Sequence, residues 1–341
     1  MTVRIIYLGT PEFAVPTLNA LIEEETFEVL AVLCQPDRPK GRGNKVQAPP
    51  VKEVALKHNI KVLQPEKLSR DKAVVEEMRA LKPDVLVMVA FGQILKKPVL
   101  ELAPHGVINL HGSLLPELRG AAPINWSIVR GMKKTGNTTM CTEAGVDTGP
   151  MLLKNEVEID LDMDAPELSR KLAESGAPLM VETLKRLRDE TITPEPQDDS
   201  KTTYAPLLSK EMGEIDWRKP ALEVHNLVRG LAPWPGTFTT FREQKLKIIR
   251  TRYNTNTTGS EVSPGSISVD GKELLVACGE NGGERLEVLT VQPPNKPKVA
   301  VIDWVNGQRV TTGEVMAASV PGCSVSSSST NAGGKDACNS K

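Results

Sequence analysis

Residues 106–123 read GVINLHGSLLPELRGAAP, and the rest of the chain is best interpreted from this stretch outward. It begins as a short apolar strand, and polar residues follow directly at Asn109, His111 and Ser113. Because residues two apart in an extended chain project from one face, we expect these three side chains to begin on a common side. An amide that can hold a carbonyl oxygen then lies near an imidazole that can move a proton. The stretch predicts a site for carbonyl chemistry at a strand end.

Length and composition limit the classes of protein that fit. A chain of 341 residues favours two domains, and a net charge of −1 means that contact with nucleic acid requires local basic patches. The five cysteines contain no CxxC pair, which argues against a disulfide framework and a zinc site. We expect no metal. With a strand starting near residue 3 and no long apolar run, we also expect no signal peptide, no membrane span and a cytoplasmic location.

The first half alternates apolar strands with helices. Strands are predicted at 4–8 (RIIYL), 29–34 (VLAVLC) and 84–91 (DVLVMVAF), with helices after residue 11 and at 51–58, 70–81, 121–131 and 165–188. This pattern predicts an open α/β domain with a Rossmann-like parallel sheet, whose ligands bind at the carboxyl ends of the strands. The first turn, LGTPEF at 8–13, lacks GxGxxG spacing, and no GxxxxGK[ST] occurs. Both absences argue against NAD and ATP.

A polar insertion, QPDRPKGRGNKVQAPP at 35–50, follows the second strand. It carries four basic residues, Arg38, Lys40, Arg42 and Lys45, against the single acid Asp37. One interpretation is a solvated, mobile loop. The other is an arm that neutralises a phosphate backbone, and the length of the insertion favours it.

A turn-rich segment, EAGVDTGP at 143–150, places the carboxylate of Asp147 between two glycines. Taken alone, this segment is explained better by ordinary turn chemistry than by catalysis. Strands are predicted on both sides of it, at 138–141 and 153–159. The proline-rich stretch at 191–204 then indicates a linker. We predict a catalytic domain at 1–189, a linker at 190–207, a second domain at 208–317 and a disordered tail at 318–341.

The second domain changes to short alternating strands after a helix at 216–231. Strands are predicted at 237–241, 245–250, 265–269, 273–278 and 286–292, which is typical of a small β-barrel or sandwich. Lys245, Lys247 and Arg250 lie on the second of these strands, as a basic patch or as a solvated strand edge. The isolated histidines His105 and His225 are interpreted as packed or exposed, without a functional role.

Two motifs together, NLHGSLLP at 109–116 and GVDTG at 145–149, resemble the 10-formyltetrahydrofolate-dependent formyltransferases. Further similarity lies in YLGTPEF at 7–13, QPDRP at 35–39, GRG at 41–43, RGAAP at 119–123 and PWP at 233–235. The resemblance spans residues 2 to roughly 317 and is strongest to members that act on aminoacylated initiator tRNA. The Asn/His/Asp set is shared with members that use other acceptors. The basic loop and the β domain therefore specify the acceptor.

The resemblance implies a reaction and a role for each residue. The formyl group of 10-formyltetrahydrofolate, a co-substrate, passes to the α-amino group of methionyl-initiator tRNA. Asn109 donates to the formyl oxygen, and His111 stabilises the charge of the intermediate and helps to move the proton of the amine. Asp147 either orients His111 or collects that proton through water. Ser113 is interpreted as a backbone-capping hydroxyl and not as a catalyst.

The resemblance also implies binding residues and partners. Folate binding is predicted at Phe91, Gly92, Ser113, Leu114, Leu115 and Pro116. Binding of tRNA is predicted at Arg38, Lys40, Arg42, Lys45, Lys245, Lys247 and Arg250. The second domain would be an OB-like β-barrel that grips the tRNA backbone, and we expect a monomer. The alternatives are a formyltetrahydrofolate hydrolase, in which water replaces the amine, and a non-catalytic tRNA-binding protein.

Overall fold

The computed structural model describes residues 2–40, 45–254 and 258–317, which form two domains. The tail predicted to be disordered, 318–341, lies outside these residues. Among the described helices, none combines the length and the apolar character needed to cross a bilayer.

The first domain is the predicted α/β domain. Its strands are β1 (Val3–Gly9), β2 (Phe27–Leu33), β3 (Arg38–Lys40), β4 (Lys45–Gln47), β5 (Lys61–Leu63), β6 (Val85–Val89), β7 (Val107–His111), β8 (Arg119–Gly120), β9 (Lys134–Cys141) and β10 (Met151–Glu158). Its helices are α1 (Val15–Glu23), α2 (Pro50–Lys57), α3 (Lys72–Ala80), α4 (Lys97–Leu100), α5 (Pro123–Val129) and α6 (Ala165–Arg188). Seven strands form the central sheet in the order β10-β9-β7-β6-β1-β2-β5.

The sheet is parallel except at one edge. Strands β5, β2, β1, β6 and β7 are parallel, whereas β9 pairs antiparallel with β7 and β10 antiparallel with β9. A parallel neighbour for β7 would require a crossover back along the sheet. The chain instead leaves the carboxyl end of β7, forms the short helix α5 and re-enters from that same end. The sheet is therefore mostly parallel, as predicted, with an antiparallel edge that the sequence did not indicate.

Packing of β7 decides which way its polar residues face. Leu110 is buried in the same core cluster as Met180 and Leu184 of α6. Because side chains alternate along a strand, Asn109 and His111 project from the opposite face of the sheet. Helix α6 thus fixes the orientation of the predicted catalytic residues by burying the residue between them.

The second domain is the predicted β-barrel. Its elements are α7 (Ala221–Gly230), β12 (Thr237–Phe241), β13 (Gln244–Arg252), β14 (Ile267–Asp270), β15 (Glu273–Cys278), β16 (Glu284–Gln292), β17 (Val299–Ala300) and α8 (Val301–Gln308), preceded by β11 (Tyr204–Ala205). The strand order is β12-β13-β16-β15-β14. Residues 314–317 join the two edges, since Thr240 donates to Ala317 at 2.8 Å and Ile267 donates to Glu314 at 2.7 Å. These bonds close the sheet into a barrel.

Helix α8 was not predicted from the sequence. Its two turns are too short for a clear helical period, and Gly307 lowers its helix propensity. Packing stabilises it, because Trp304 meets Phe241 edge to face with ring centroids 5.1 Å apart.

The predicted linker is ordered on the surface of the first domain. We call residues 195–205 the connecting segment. Glu195 exchanges two backbone hydrogen bonds of 2.8 Å with Met151, and β11 pairs in parallel with β8. A polar, proline-rich segment can pair through its backbone although its side chains supply no apolar face, which is why its composition alone indicated a free linker.

The two domains meet along α5 and α7. Gly230 lies against α5, where its carbonyl accepts a hydrogen bond of 2.8 Å from Asn125. The buried guanidinium of Arg229 donates to the carbonyls of Asp160 and Met163 at 3.0 and 2.8 Å. The interface thus holds the barrel in a fixed position on the first domain.

Two glycine substitutions should have opposite effects on stability. A Cβ at Gly230 would lie 3.0 Å from Val129 N and 3.2 Å from Asn125 O, both backbone atoms. Gly230→Ala should therefore lower the free energy of unfolding by about 1–3 kcal/mol. Gly307→Ala, in open space on α8, should raise it by roughly 0.5–1 kcal/mol through helix propensity. Urea unfolding measures both, and equal effects would contradict close packing at Gly230.

Candidate active site

The strand end of β7 presents two nearly buried polar side chains on one face. Asn109 and His111 are 7% and 6% exposed. Within the part of the chain that the structure describes, no hydrogen bond reaches the Asn109 side chain. A buried amide without a protein partner is costly unless another molecule satisfies it. Asn109 is therefore a free donor and acceptor at the predicted position.

A backbone carbonyl fixes the orientation of the His111 ring. Nε2 of His111 lies 3.0 Å from the carbonyl oxygen of Leu118. Since a carbonyl can only accept, Nε2 carries the hydrogen and the lone pair of the neutral ring is on Nδ1. Leu118 has φ 59°, a left-handed conformation that is uncommon for leucine and directs its carbonyl back toward the ring.

Asp147 lies on the other side of the same ring. Its Oδ2 is 3.6 Å from Nδ1 of His111, beyond hydrogen-bond range but close enough for strong electrostatic attraction to a protonated ring. The same oxygen accepts the backbone N–H of Gly120 at 2.9 Å. The carbonyl of Leu118 thus orients the ring through Nε2. Asp147 faces Nδ1, and its role in catalysis stays a prediction.

The loop after β7 is held by Ser113 and Thr138. The fully buried hydroxyl of Ser113 donates to the carbonyl of Glu117 at 2.6 Å, so it caps the turn. Thr138 on β9 donates to the carbonyl of Ser113 at 2.7 Å and accepts the N–H of Leu115 at 3.1 Å. These bonds position the turn that carries Leu118.

The residues predicted to bind folate differ in accessibility. Phe91, which follows β6, and Leu115, in the turn after β7, are buried in hydrophobic clusters. Ser113 is also buried. Leu114 and Pro116 are half-buried, and Gly92 is exposed. Contact with folate stays a prediction for all six residues.

The basic insertion is a hairpin and not a featureless loop. Strands β3 and β4 pair antiparallel, and Arg38 is exposed at the base. Arg42 and the side chains of Lys40 and Lys45 lie outside the described residues. Asp37 anchors the base through Lys52 and Gln64, each with a contact of 2.7 Å. The hydrogen bond from Gln64, followed by that from Lys52, lowers the pKa of Asp37.

A β-bulge gathers the basic residues of β13 on one face. Lys245 and Lys247 are exposed, and the register shifts between Ile248 and Arg250. Strict alternation would turn Arg250 inward, but the bulge returns it to the outer face. Lys245 lies over the Phe238 ring at 3.3 Å, and no ion pair to Lys247 or Arg250 occurs among the described residues. The three basic residues therefore form an exposed basic patch on β13, and its binding to tRNA stays a prediction.

His225 is packed between the domains. Nε2 donates to the carbonyl of Leu161, and Nδ1 contacts the hydroxyl of Thr251, both at 2.9 Å. Burial lowers the pKa of His225. It lines a cavity of about 390 Å³ together with Arg229 and Lys247, away from the predicted catalytic residues. The sequence left open whether His225 is packed or exposed, and the structure shows that it is packed.

The sequence did not indicate three residues that brace the site. They are Arg119, Gln197 and Thr203, which lie on the loop after β7 or on the connecting segment. The sequence could not indicate them, because contacts between residues 50 to 85 positions apart leave no local pattern. Within the described ranges no cluster of three or more His, Cys, Asp or Glu residues could hold a metal ion.

Two family models match the chain. The model described as formyl transferase covers residues 2–184, and that described as formyl transferase, C-terminal domain covers residues 207–309. The chain is 49% identical to the methionyl-tRNA formyltransferase of Ruminiclostridium cellulolyticum over 91% of its own length and 98% of the relative. The chain belongs to the methionyl-tRNA formyltransferase family.

Further relatives agree with this membership. The chain is 50% identical to the methionyl-tRNA formyltransferase of Solibacter usitatus over 91% of this chain and 97% of that protein. The structure of an N-formyltransferase from Helicobacter canadensis, in complex with folinic acid and dTDP-3-aminofucose, superposes with a TM-score of 0.65 at 19% identity. It covers 84% of this chain and 99% of that one, and it supports the fold alone.

The anchor of the hairpin can be tested by proteolysis. Because its pKa is lowered, the Asp37 carboxylate is fully charged at neutral pH, and the anchor is lost as the pH falls below the ordinary carboxyl range. Asp37→Ala should speed tryptic cleavage between residues 40 and 46 severalfold at neutral pH, through easier local opening. Glu76→Ala, which removes an exposed ion pair on α3, is the control. Unchanged cleavage in the Asp37 variant would contradict the anchor.

Proposed function

We propose that this chain transfers the formyl group of 10-formyltetrahydrofolate to the α-amino group of methionyl-initiator tRNA, giving N-formylmethionyl-tRNA. The observation that carries the chemistry is the unpartnered amide of Asn109, on the same strand face as His111. Nδ1 of that histidine faces the carboxylate of Asp147. The family membership, which extends over both domains, supports the acceptor.

Each residue of the site has a part that follows from its position. The attack of the amine on the formyl carbon places negative charge on the formyl oxygen, and the Asn109 amide is available to donate to it. Nδ1 of His111 can take the proton that the amine loses, since Nε2–H is held by Leu118. The carboxylate of Asp147 then stabilises the charged ring. Transfer ends when the bond from carbon to N10 of the folate breaks and that nitrogen gains a proton.

Acceptor binding is proposed for the hairpin and the barrel. The hairpin projects from the same strand-end side of the sheet, between β2 and α2, with Arg38 exposed. The exposed cations of β13 supply a second basic surface on a domain that a small folate donor does not need. We also propose a cytoplasmic monomer, in keeping with the free thiols of Cys34, Cys141 and Cys278. A dimer mass in sedimentation would contradict the monomer.

The decisive experiment supplies the folate donor with and without charged tRNA. Release of tetrahydrofolate should depend on methionyl-initiator tRNA and yield one formylated product for each folate released. Equal release without tRNA would identify a hydrolase and overturn the proposal. Uncharged tRNA is the matched control, because it presents the same phosphates without the amino group.

Loss of the proposed oxyanion donor should slow the chemical step. We expect Asn109→Ala to lower kcat for formylation roughly 10²- to 10³-fold, because a preorganised donor to the developing charge is removed. KM for charged tRNA should stay unchanged. Asn306→Ala, at an exposed position on α8, is the control and should retain full activity. Full activity of the Asn109 variant would exclude this role.

Arg42 of the basic insertion should affect binding of the acceptor and not of the donor. Arg42→Ala should raise KM for methionyl-tRNA and reduce the salt dependence of binding by about one phosphate contact. Folate affinity, measured by tryptophan fluorescence or calorimetry, should be unaffected. Arg79→Ala removes an exposed arginine of α3 and serves as the control. Weaker folate binding in the Arg42 variant would refute the assignment.

A further inference from the structure

The connecting segment makes a bridge to both loops that flank His111. Gln197, on that segment, donates through Nε2 to the carbonyls of Asp147 and Gly149, each at 2.8 Å. Its Oε1 accepts a hydrogen bond of 2.9 Å from Nε of the buried Arg119. One side chain therefore links the loop that carries Asp147 to the loop that follows β7.

Thr203 of the same segment holds the second loop through its hydroxyl and its carbonyl. The N–H of Leu118 donates to the hydroxyl of Thr203, and the N–H of Arg119 donates to its carbonyl, both at 2.9 Å. Leu118 is the residue whose carbonyl fixes the ring of His111. Gly120 follows, and it packs closely against Ala205. Gly120 has φ +119°, and a Cβ on it would lie 2.8 Å from the Ala205 carbonyl oxygen.

The Asp147 loop has little else to hold it. Residues 143–146 are exposed, and Asp147 itself has φ 52°, a left-handed conformation for a residue with a side chain. Such a conformation persists only where the surroundings fix it. The hydrogen bonds to Asp147 come from Gly120 at its carboxylate and from Gln197 at its carbonyl. The position of the carboxylate against Nδ1 of His111 depends on both.

We propose that Gln197 is a positioning residue for formyl transfer, which acts by holding Asp147 against His111. The inference rests on the proposed function, because it assigns the chemistry to that pair. Gln197 touches neither Oδ2 of Asp147 nor Nδ1 of His111, since its Nε2 bonds to the backbone carbonyls of Asp147 and Gly149. It controls their separation, and an error of about 1 Å in a reacting pair can cost on the order of 100-fold in rate.

Steady-state kinetics of Gln197→Met test this role. Methionine keeps the length of the side chain and removes all three hydrogen bonds. We expect kcat to fall about 10- to 100-fold, with KM for folate and for charged tRNA changed by less than about twofold. The matched control is Ser200→Ala, on the same segment, which loses only a local bond to Asp198. A rise in KM with kcat unchanged would overturn the inference.

A double-mutant cycle shows whether Gln197 acts through Asp147. If it does, Gln197→Met combined with Asp147→Asn should be no slower than Asp147→Asn alone. Losses that multiply would assign Gln197 an independent role and overturn the inference.

A second variant and the activity of the unaltered protein distinguish failure of this inference from misfolding and from failure of the proposed function. Gln197→Glu retains the acceptor for Arg119 but sets a carboxylate against two carbonyl oxygens, so it should lose kcat as the methionine variant does. Wild-type kcat in a folded Gln197→Glu protein, checked by thermal unfolding, would overturn the inference. Failure of the unaltered protein to formylate charged tRNA would instead count against the proposed function.

Discussion

The hydrogen bond from Nε2–H of His111 to the carbonyl of Leu118 is the constraint on which the site depends. It fixes both the plane of the ring and the nitrogen that carries the lone pair. It requires Leu118 to adopt left-handed backbone geometry, which the turn capped by Ser113 and Thr138 imposes. With Nε2 committed in this way, a proton can enter only at Nδ1, and that atom faces Asp147.

The two loops that place His111 and Asp147 are not held by the catalytic domain alone, and they need contacts from the connecting segment. The loops that carry Leu118 and Asp147 both leave the sheet at the carboxyl ends of strands, where regular pairing no longer holds them. The connecting segment supplies the missing hydrogen bonds through Gln197 and Thr203 before it enters the barrel. The segment between the domains is thus part of the architecture of the site. The packing of α5 against α7 keeps its far end in place.

The fold was largely predictable, because its strands are continuous apolar runs and its helices have clear periods. The helix at 165–188 was predicted with the bounds that it has, and the barrel strands were located to within about two or three residues, the usual error of element boundaries. The antiparallel edge and α8 were missed, since each depends on tertiary packing. In the site, the alternation of side chains along a strand predicted that Asn109 and His111 lie on the same face. The parts of Leu118, Thr138 and Gln197 did not, because backbone carbonyls and long-range hydrogen bonds leave no residue pattern.

The tautomer of His111 is the most direct measure of this account. The chain has four histidines, so a two-bond ¹H–¹⁵N correlation spectrum of the labelled protein is simple, and a His111→Gln variant assigns the signals. With the ring neutral, we predict a protonated Nε2 and an unprotonated Nδ1 at His111. A protonated Nδ1 with a bare Nε2 would break the contact with Leu118 and contradict this orientation of the ring.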